Sequence, residues 1–333
     1  MKTRLGDFIF GHPRALQFLS SALESDRMPQ SILITGPDQV GKETLATQFA
    51  ASINCVGGKK PCQACASCKK IATGNHPDIF YIHEPNDSTL KIEQIRDIQQ
   101  YLVLRPLESQ YKIAVLSNFE RATSAAANAL LKTLEEPPAH VILLLTAKNK
   151  SQLLPTIVSR CQIIPLKPIS ESIIATVLAE RHNANEAQAS LLSKLAMGRI
   201  GWAINALSHT EILARREQFL TDLLEILEKG SDFRLAYAQQ FTRTQQPIIE
   251  VLGIWLSLWR DILYYQVGNT DHIVNLDMAD QLRWFADTLT TDRILSVLEN
   301  LQQTLHNFNY NVNVRLNFEV LLLNLPRLER RLV

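Results

Sequence analysis

Charge of one sign is what this sequence most plainly lacks. Lys and Arg number 34 against 33 Asp and Glu, a net charge of +1. An autonomous nucleic-acid surface carries a basic excess, so none is expected, although a few backbone contacts inside a larger assembly stay open. Long apolar runs are missing too. The longest, such as VILLLT at 141–146, have strand length, far short of the roughly 18 to 20 residues that span a membrane. The opening MKTRLGDFIFGHPRA holds no apolar core of the kind a secretion signal needs. A cytoplasmic protein with no membrane partner is the expectation.

Catalytic signatures are scarce as well. The eight histidines show neither HxxxH nor HExxH spacing, which leaves a catalytic zinc unsupported. Ser159 has no nucleophile elbow and no nearby His, so hydrolase chemistry is not expected of it. Glu135 and Glu136 are adjacent at a helix end and point about 100° apart, which reads as solvated charge rather than a paired acid site. Trp202, Trp255, Trp259 and Trp284 fall in helical segments and read as core or interface, not as platforms for stacking bases.

What is present is apolar material for a sizeable core. Hydrophobic residues are 46% of 333, enough for two or three domains. Strand-like runs at 31–35, 78–83, 112–117, 141–146 and 161–166 alternate with helix-like segments at 91–104, 123–136 and 151–158. That alternation predicts a parallel sheet covered on both faces. Beyond Lys167-Pro168 strand signals stop. Short helices are predicted at 170–182, 186–196 and 199–207, then longer ones at 211–229, 232–242, 246–268, 279–306 and 312–328, with breakers at 230–232, 268–271 and 307–313. The expected division is an α/β domain over 1–167, a small helical lid over 168–208 and an all-helical domain over 209–333.

The stretch GPDQVGKET, 36–44, follows the first strand and opens a helix. Gly36-xxxx-Gly41-Lys42 has the spacing of a phosphate-binding P-loop, in which backbone amides and a helix N-terminus cradle phosphate and the lysine reaches its outer oxygens. The Ser or Thr that normally follows the lysine to hold Mg²⁺ is replaced by Glu43. Thr44 stands one position on, about 100° around the helix, and is not expected to substitute. A retained phosphate cradle and a ligand-free strand-to-helix turn both fit. Hydrolysis also needs an acidic residue at a second strand tip. Here 112–116 runs into Ser117-Asn118, and Glu120 comes three residues late.

Cys55, Cys62, Cys65 and Cys68 read C-x6-C-x2-C-x2-C, and Gly57 and Gly58 let the chain turn back between the first two. Four thiolates complete a closed tetrahedral zinc site. An iron–sulfur cluster shares the CxxCxxC core, but its fourth cysteine usually lies further off. Free thiols are the bland alternative. The zinc module over 55–68 is expected to pin an insertion in the α/β domain.

Two more stretches, AAANALLKTLEEPP at 125–138 and LLPTIVSRC at 153–161, join the glycine loop and the four cysteines in one pattern. Together they resemble bacterial DNA polymerase III clamp-loader subunits of the AAA+ class. The resemblance runs the length of the chain and is weakest after about residue 210. It implies an AAA+ P-loop core with a zinc insertion, a helical lid and an all-α collar domain. It further implies partners: gamma/tau ATPases and a delta subunit in a hetero-oligomeric ring at the replisome, acting on a sliding clamp and primer–template DNA. The active ATPases carry a Ser/Thr after the loop lysine, an acidic strand tip and a nucleotide-sensing arginine in the lid. The matching places here hold Glu43, Ser117-Asn118 and Gly201, with Arg199 out of register. Ser159-Arg160-Cys161 does match, and in the family this arginine reaches into a neighbour's ATP site. Taken by itself, Arg160 reads more readily as a surface arginine in an ordinary salt bridge. The resemblance implies a non-hydrolytic subunit, with a divergent gamma/tau-type ATPase as the alternative.

Overall fold

The computed structural model describes residues 5–25, 28–82, 89–244, 246–308, 310 and 312–328. The chain forms two compact units. One comprises Met1–Ala189 and Ala196–Ala203; the other comprises Ser190–Leu195 and Ile204–Val333.

The first unit is built on five parallel strands: β1 (Ser31–Thr35), β2 (Ile79–Ile82), β3 (Lys112–Leu116), β4 (Val141–Ala147) and β5 (Gln162–Pro165). Their spatial order is β2-β3-β4-β1-β5. Every residue of β1, β3 and β4 is buried. Central strands of a parallel sheet lie under helices on both faces, and so read as unbroken apolar runs. Register is continuous: Leu33 pairs with Leu145 on one side and Ile163 on the other. The covering helices are α1 (Pro13–Ser25), α2 (Lys42–Ile53), α3 (Ala66–Ala72), α4 (Ile92–Val103), α5 (Ser124–Glu135) and α6 (Pro155–Val158). On one face Ile95, Ile98 and Leu102 of α4 and Leu130 and Leu134 of α5 pack with Leu116, Leu143 and Leu145. His83, at the end of the run expected as a strand over 78–83, lies outside the described residues.

Two helices were not anticipated: α1, which precedes the first strand, and the seven-residue α3 inside the cysteine insertion. The segment expected as one helix over 151–158 is a 3-10 turn, Lys150–Gln152, followed by α6. Pro155 starts the second piece, and the residue before a proline is disfavoured in the α region.

Helices α7 (Glu171–His182), α8 (Glu186–Leu195) and α9 (Ile200–Ser208) come next. The second unit is helical: α10 (Thr210–Glu228), α11 (Ser231–Arg243), α12 (Ile248–Gln266), α13 (Ala279–Thr288), α14 (Thr291–Asn307) and α15 (Val314–Asn324). The helix expected over 279–306 is therefore two. Thr290 breaks it by acting as an N-cap, its hydroxyl accepting from Arg293 N. In the breaker over 307–313, Asn309 and Asn311 lie outside the described residues. Trp255 and Trp259 of α12 are fully buried among Phe219, Phe285 and Phe318. Arg234 is buried, and among the described residues no carboxylate pairs with it: its guanidinium donates to the carbonyls of Ile226, Leu322, Leu325 and Pro326 and ties off the end of α15. Among the described residues no helix is long and apolar enough to cross a membrane.

Candidate functional sites

The glycine loop leaves the end of β1 and enters α2. Gly36 has φ +154°, and a Cβ there would come within 2.5 Å of the Leu166 carbonyl, so only glycine fits. Gly41, with φ +108°, precedes the first helical residue, Lys42. The Lys42 side chain is 5% exposed and folds back into the turn. Its Nζ donates to the carbonyls of Gly36 at 2.7 Å and Pro37 at 2.8 Å. Asp38 lies 3.7 Å from Lys42 Nζ and is bridged at 2.8 Å by Lys148. Burial pulls the Lys42 ammonium below the usual lysine range, while Asp38, Glu120 and Glu43 oppose that pull. Thr44 is exposed, as expected of a residue one step around the helix.

Two further residues hold the loop from outside. His12 Nε2 donates to Val40 O at 3.1 Å, and burial lowers its pKa from the usual histidine value. Gly201 N donates to Gln39 O at 2.8 Å. A Cβ at 201 would lie 3.0 Å from that same oxygen. Arg199 packs locally. Its Nε caps Ala196 O at 3.0 Å and its guanidinium lies over the Trp202 ring.

At the tip of β3 the chain turns sharply. Asn118 adopts φ 52°, and its amide donates to Thr146 Oγ1 at 3.0 Å. The short 3-10 turn Phe119–Arg121 follows at once. Both carboxylate oxygens of Glu120 are shielded from solvent and have no hydrogen-bond partner among the described residues, and the negative charge of Glu120 raises the Lys42 pKa. The 3-10 turn that follows the left-handed Asn118 carries Glu120, three residues beyond Ser117.

The arginine corner is built by α6 and the residues after it. Ser159 N and Arg160 N close the turn on Pro155 O and Ile157 O. Arg160 Nη1 donates to Thr156 O at 2.9 Å, and Nη2 meets Glu135 Oε1 at 2.7 Å. Glu135 is exposed, as expected of a solvated charge, and it also pairs with Arg160 because α5 ends against α6. The stretches 125–138 and 153–161 are brought together through this pair. Ser159 Oγ donates to Thr156 O and receives a long contact from Arg160. The Arg160 side chain remains 35% exposed. The neighbouring Cys161 thiol is pushed up to about 12 by burial, which keeps it protonated and inert.

Cys55, Cys62, Cys65 and Cys68 place their sulfurs within 4.8 Å of one another. Cys55–Cys65 and Cys62–Cys68 are each 4.0 Å apart. A tetrahedron with Zn–S bonds of about 2.3 Å has edges of about 3.8 Å, so the set fits zinc with little adjustment. Backbone amides already point at the sulfurs: Gly57 N and Cys62 N to Cys55, Cys65 N to Cys62, and Cys68 N to Cys65, all at 3.3–3.4 Å. Such donors stabilise thiolates, and those of Cys65 and Ala64 bring the Cys62 thiol down to about 6, whereas burial pushes Cys55 up and Cys68 up to about 12 in the absence of a cation. A Cβ on Gly57 would come within 2.7 Å of Cys62, so the cradle depends on that residue; Gly58 stands in open space. The module is tied to the sheet through Ser67 of α3, whose hydroxyl meets His76 Nε2 at 3.1 Å. Asp78 is fully buried and accepts from the amides of Leu107, Glu108 and Ser109.

Known proteins place this arrangement in two steps. A solved structure titled as a DNA polymerase III gamma subunit-related protein from Thermotoga maritima superposes with a TM-score of 0.53 at 18% identity, covering 91% of this chain and 97% of its own. That likeness shows the fold, a parallel sheet covered by helices and followed by further helices. Residues 11–170 match the family model described as DNA polymerase III, delta subunit, and residues 210–327 match its C-terminal counterpart. The delta′ subunit of Bacillus subtilis is 32% identical over 94% of this chain and 95% of its own length. The delta′ subunit of Haemophilus influenzae is 31% identical over 82% of each. A gamma subunit from Buchnera aphidicola is 28% identical over 94% of this chain and 88% of its own. The chain belongs to the delta′ family of DNA polymerase III clamp-loader subunits.

Proposed function

We propose that this chain is a non-hydrolytic clamp-loader subunit that supplies Arg160 in trans to the ATP site of an adjacent gamma/tau-type ATPase. The observation that carries this reading is the Arg160 guanidinium, 35% exposed at the corner between α6 and β5 and held by one carbonyl and one surface carboxylate. An exposed pair of this kind contributes about 0.2–1 kcal/mol, so a stronger anion can displace Glu135 at little cost. A guanidinium presented to a γ-phosphate neutralises charge that develops during phosphoryl transfer, and the backbone closure at Ser159 and Arg160 fixes its approach. Ser159 positions the arginine through its hydroxyl and does no chemistry of its own.

In this reading the chain's own loop, Gly36, Gly41 and Lys42, is a scaffold. Glu43 replaces the Mg²⁺ ligand and Ser117-Asn118 the acidic strand tip, so no water is activated here. Cys55, Cys62, Cys65 and Cys68 hold a structural zinc whose closed coordination leaves no position for substrate. Residues 1–167, 168–208 and 209–333 act as AAA+ core, lid and collar. Gamma/tau and delta subunits are the ring partners in a pentamer-like assembly, and the sliding clamp and primed DNA are reached through the complex in the replisome. The test is a reconstituted loader carrying Arg160→Ala. Loss of DNA-stimulated ATPase and of clamp loading is expected; unchanged rates in a fully assembled complex would overturn the proposal.

A second reading, a gamma/tau-type ATPase in which Glu43 holds the metal, draws on the gamma relative that covers 94% of the chain. Steady ATP turnover by the isolated chain, abolished by Lys42→Ala, would establish it.

A further inference from the structure

Four carbonyls of the glycine loop are occupied from within the chain. Lys42 takes those of Gly36 and Pro37, Gly201 that of Gln39, and His12 that of Val40. In a loop that works on nucleotide, the lysine ammonium is matched by phosphate oxygens. Here it is buried, and carboxylates from three places act on it, Asp38 within the loop, Glu43 in the first turn of α2 and Glu120 in the 3-10 turn after β3, against the like charge of Lys148. Asp38 is the near partner at 3.7 Å, shared with Lys148, which holds its other oxygen at 2.8 Å. Glu120 is the unusual one. Its two oxygens are cut off from solvent with no hydrogen-bond donor among the described residues, an arrangement that a nearby buried cation can offset. The glycines meanwhile keep the backbone turn that a phosphate cradle requires, with Gly41 still leading into a helix of 12 residues.

We infer that Asp38, Glu43 and Glu120 stand in for the phosphates of a nucleotide as the counter-charge of Lys42, and that these carboxylates, rather than a deformed backbone, close the loop to magnesium nucleoside triphosphates. A triphosphate entering the loop meets the negative charge of these carboxylates and a lysine already committed to two carbonyls. Glu43 also fills the position from which a hydroxyl would hold the metal. The inference rests on the non-hydrolytic reading and adds its physical cause. Removing the carboxylates without touching the glycines therefore reopens the site.

The experiment titrates the full-length chain with Mg-ATP by calorimetry at low ionic strength. Wild type is compared with Glu43→Ser/Glu120→Gln, and with the same double variant carrying Lys42→Met. Removing two like charges from a partly buried site is expected to tighten binding at least about tenfold. Lys42→Met should then abolish the gain. A double variant with a native near-ultraviolet circular dichroism spectrum and no gain overturns the inference. So does wild type that already binds as tightly as the double variant. If Glu120→Gln loses the native spectrum, Glu43→Ser decides alone, since Glu43 is half-buried on a helix surface. A gain of at least about threefold supports the inference and none overturns it. These titrations do not involve Arg160, so this inference and the trans-arginine reading can fail separately.

Discussion

The glycine loop and the arginine corner lie in the same unit and present a cation in opposite ways. Lys42 is 5% exposed and its hydrogen bonds end on its own loop. Arg160 is 35% exposed and rests on a surface carboxylate. A buried cation with carbonyl partners is costly to move, because its desolvation and the orphaned carbonyls both count against movement. An exposed guanidinium in a surface pair moves almost freely. The difference separates a cation that holds the fold from one that is free to meet a partner.

The largest effect expected from breaking this comparison is at the corner. Arg160→Lys keeps the charge but loses the planar fork that engages phosphate oxygens in pairs. DNA-stimulated ATPase of the reconstituted loader should fall by roughly 10³-fold, close to the loss in Arg160→Ala. A lysine that restores most of the rate would show that charge alone suffices. Next comes the loop. Lys42→Ala leaves the carbonyls of Gly36 and Pro37 without a donor and should destabilise the chain by about 1–3 kcal/mol in urea unfolding. In the assembled loader the same variant should keep the ATPase rate within about twofold, because the cation acts on structure and not on nucleotide.

Glu135→Ala sharpens the contrast further. It releases Arg160 from a surface pair of about 0.2–1 kcal/mol, so stability should shift by less than 1 kcal/mol and the loader ATPase by no more than about twofold. A large fall would mean that Glu135 aims the guanidinium.

The smallest effect is on pH dependence. His12 is buried, and its folded pKa lies below the unfolded value of about 6.5, so the unfolded chain binds the proton more readily. The stability that His12 contributes is complete above about pH 6.5 and is lost as pH falls below it. His12→Gln should flatten the decline in melting temperature between about pH 7 and 5.5.

How much of this was legible in the sequence differs by residue. Strands β1, β3 and β4 stood out because interior parallel strands are unbroken apolar runs with little else to be. The cysteine cluster stood out because its four ligands are nearly contiguous. Helix ends were harder. Thr290 sits inside a periodic apolar pattern, and only its side-chain bond to Arg293 N makes it a cap. The Glu135–Arg160 pair joins residues far apart in sequence and depends on how α5 meets α6. The burial of the Glu120 carboxylate was not legible, because it depends on how the short turn after Asn118 packs.

The hydrogen bond from Gly201 to Gln39 bears on what this chain could become. A side chain at 201 would have its Cβ 3.0 Å from the Gln39 carbonyl, so the loop would have to yield by a few tenths of an ångström to admit one. That carbonyl lies between Asp38 and the residue held by His12, in a turn with no slack. A single codon change to arginine at 201 would therefore strain the loop it was meant to serve. Any side chain at 201 would require the backbone of the loop to shift in the same step, which makes the present form an evolutionary ratchet: simple to enter one substitution at a time, and hard to leave by the same route.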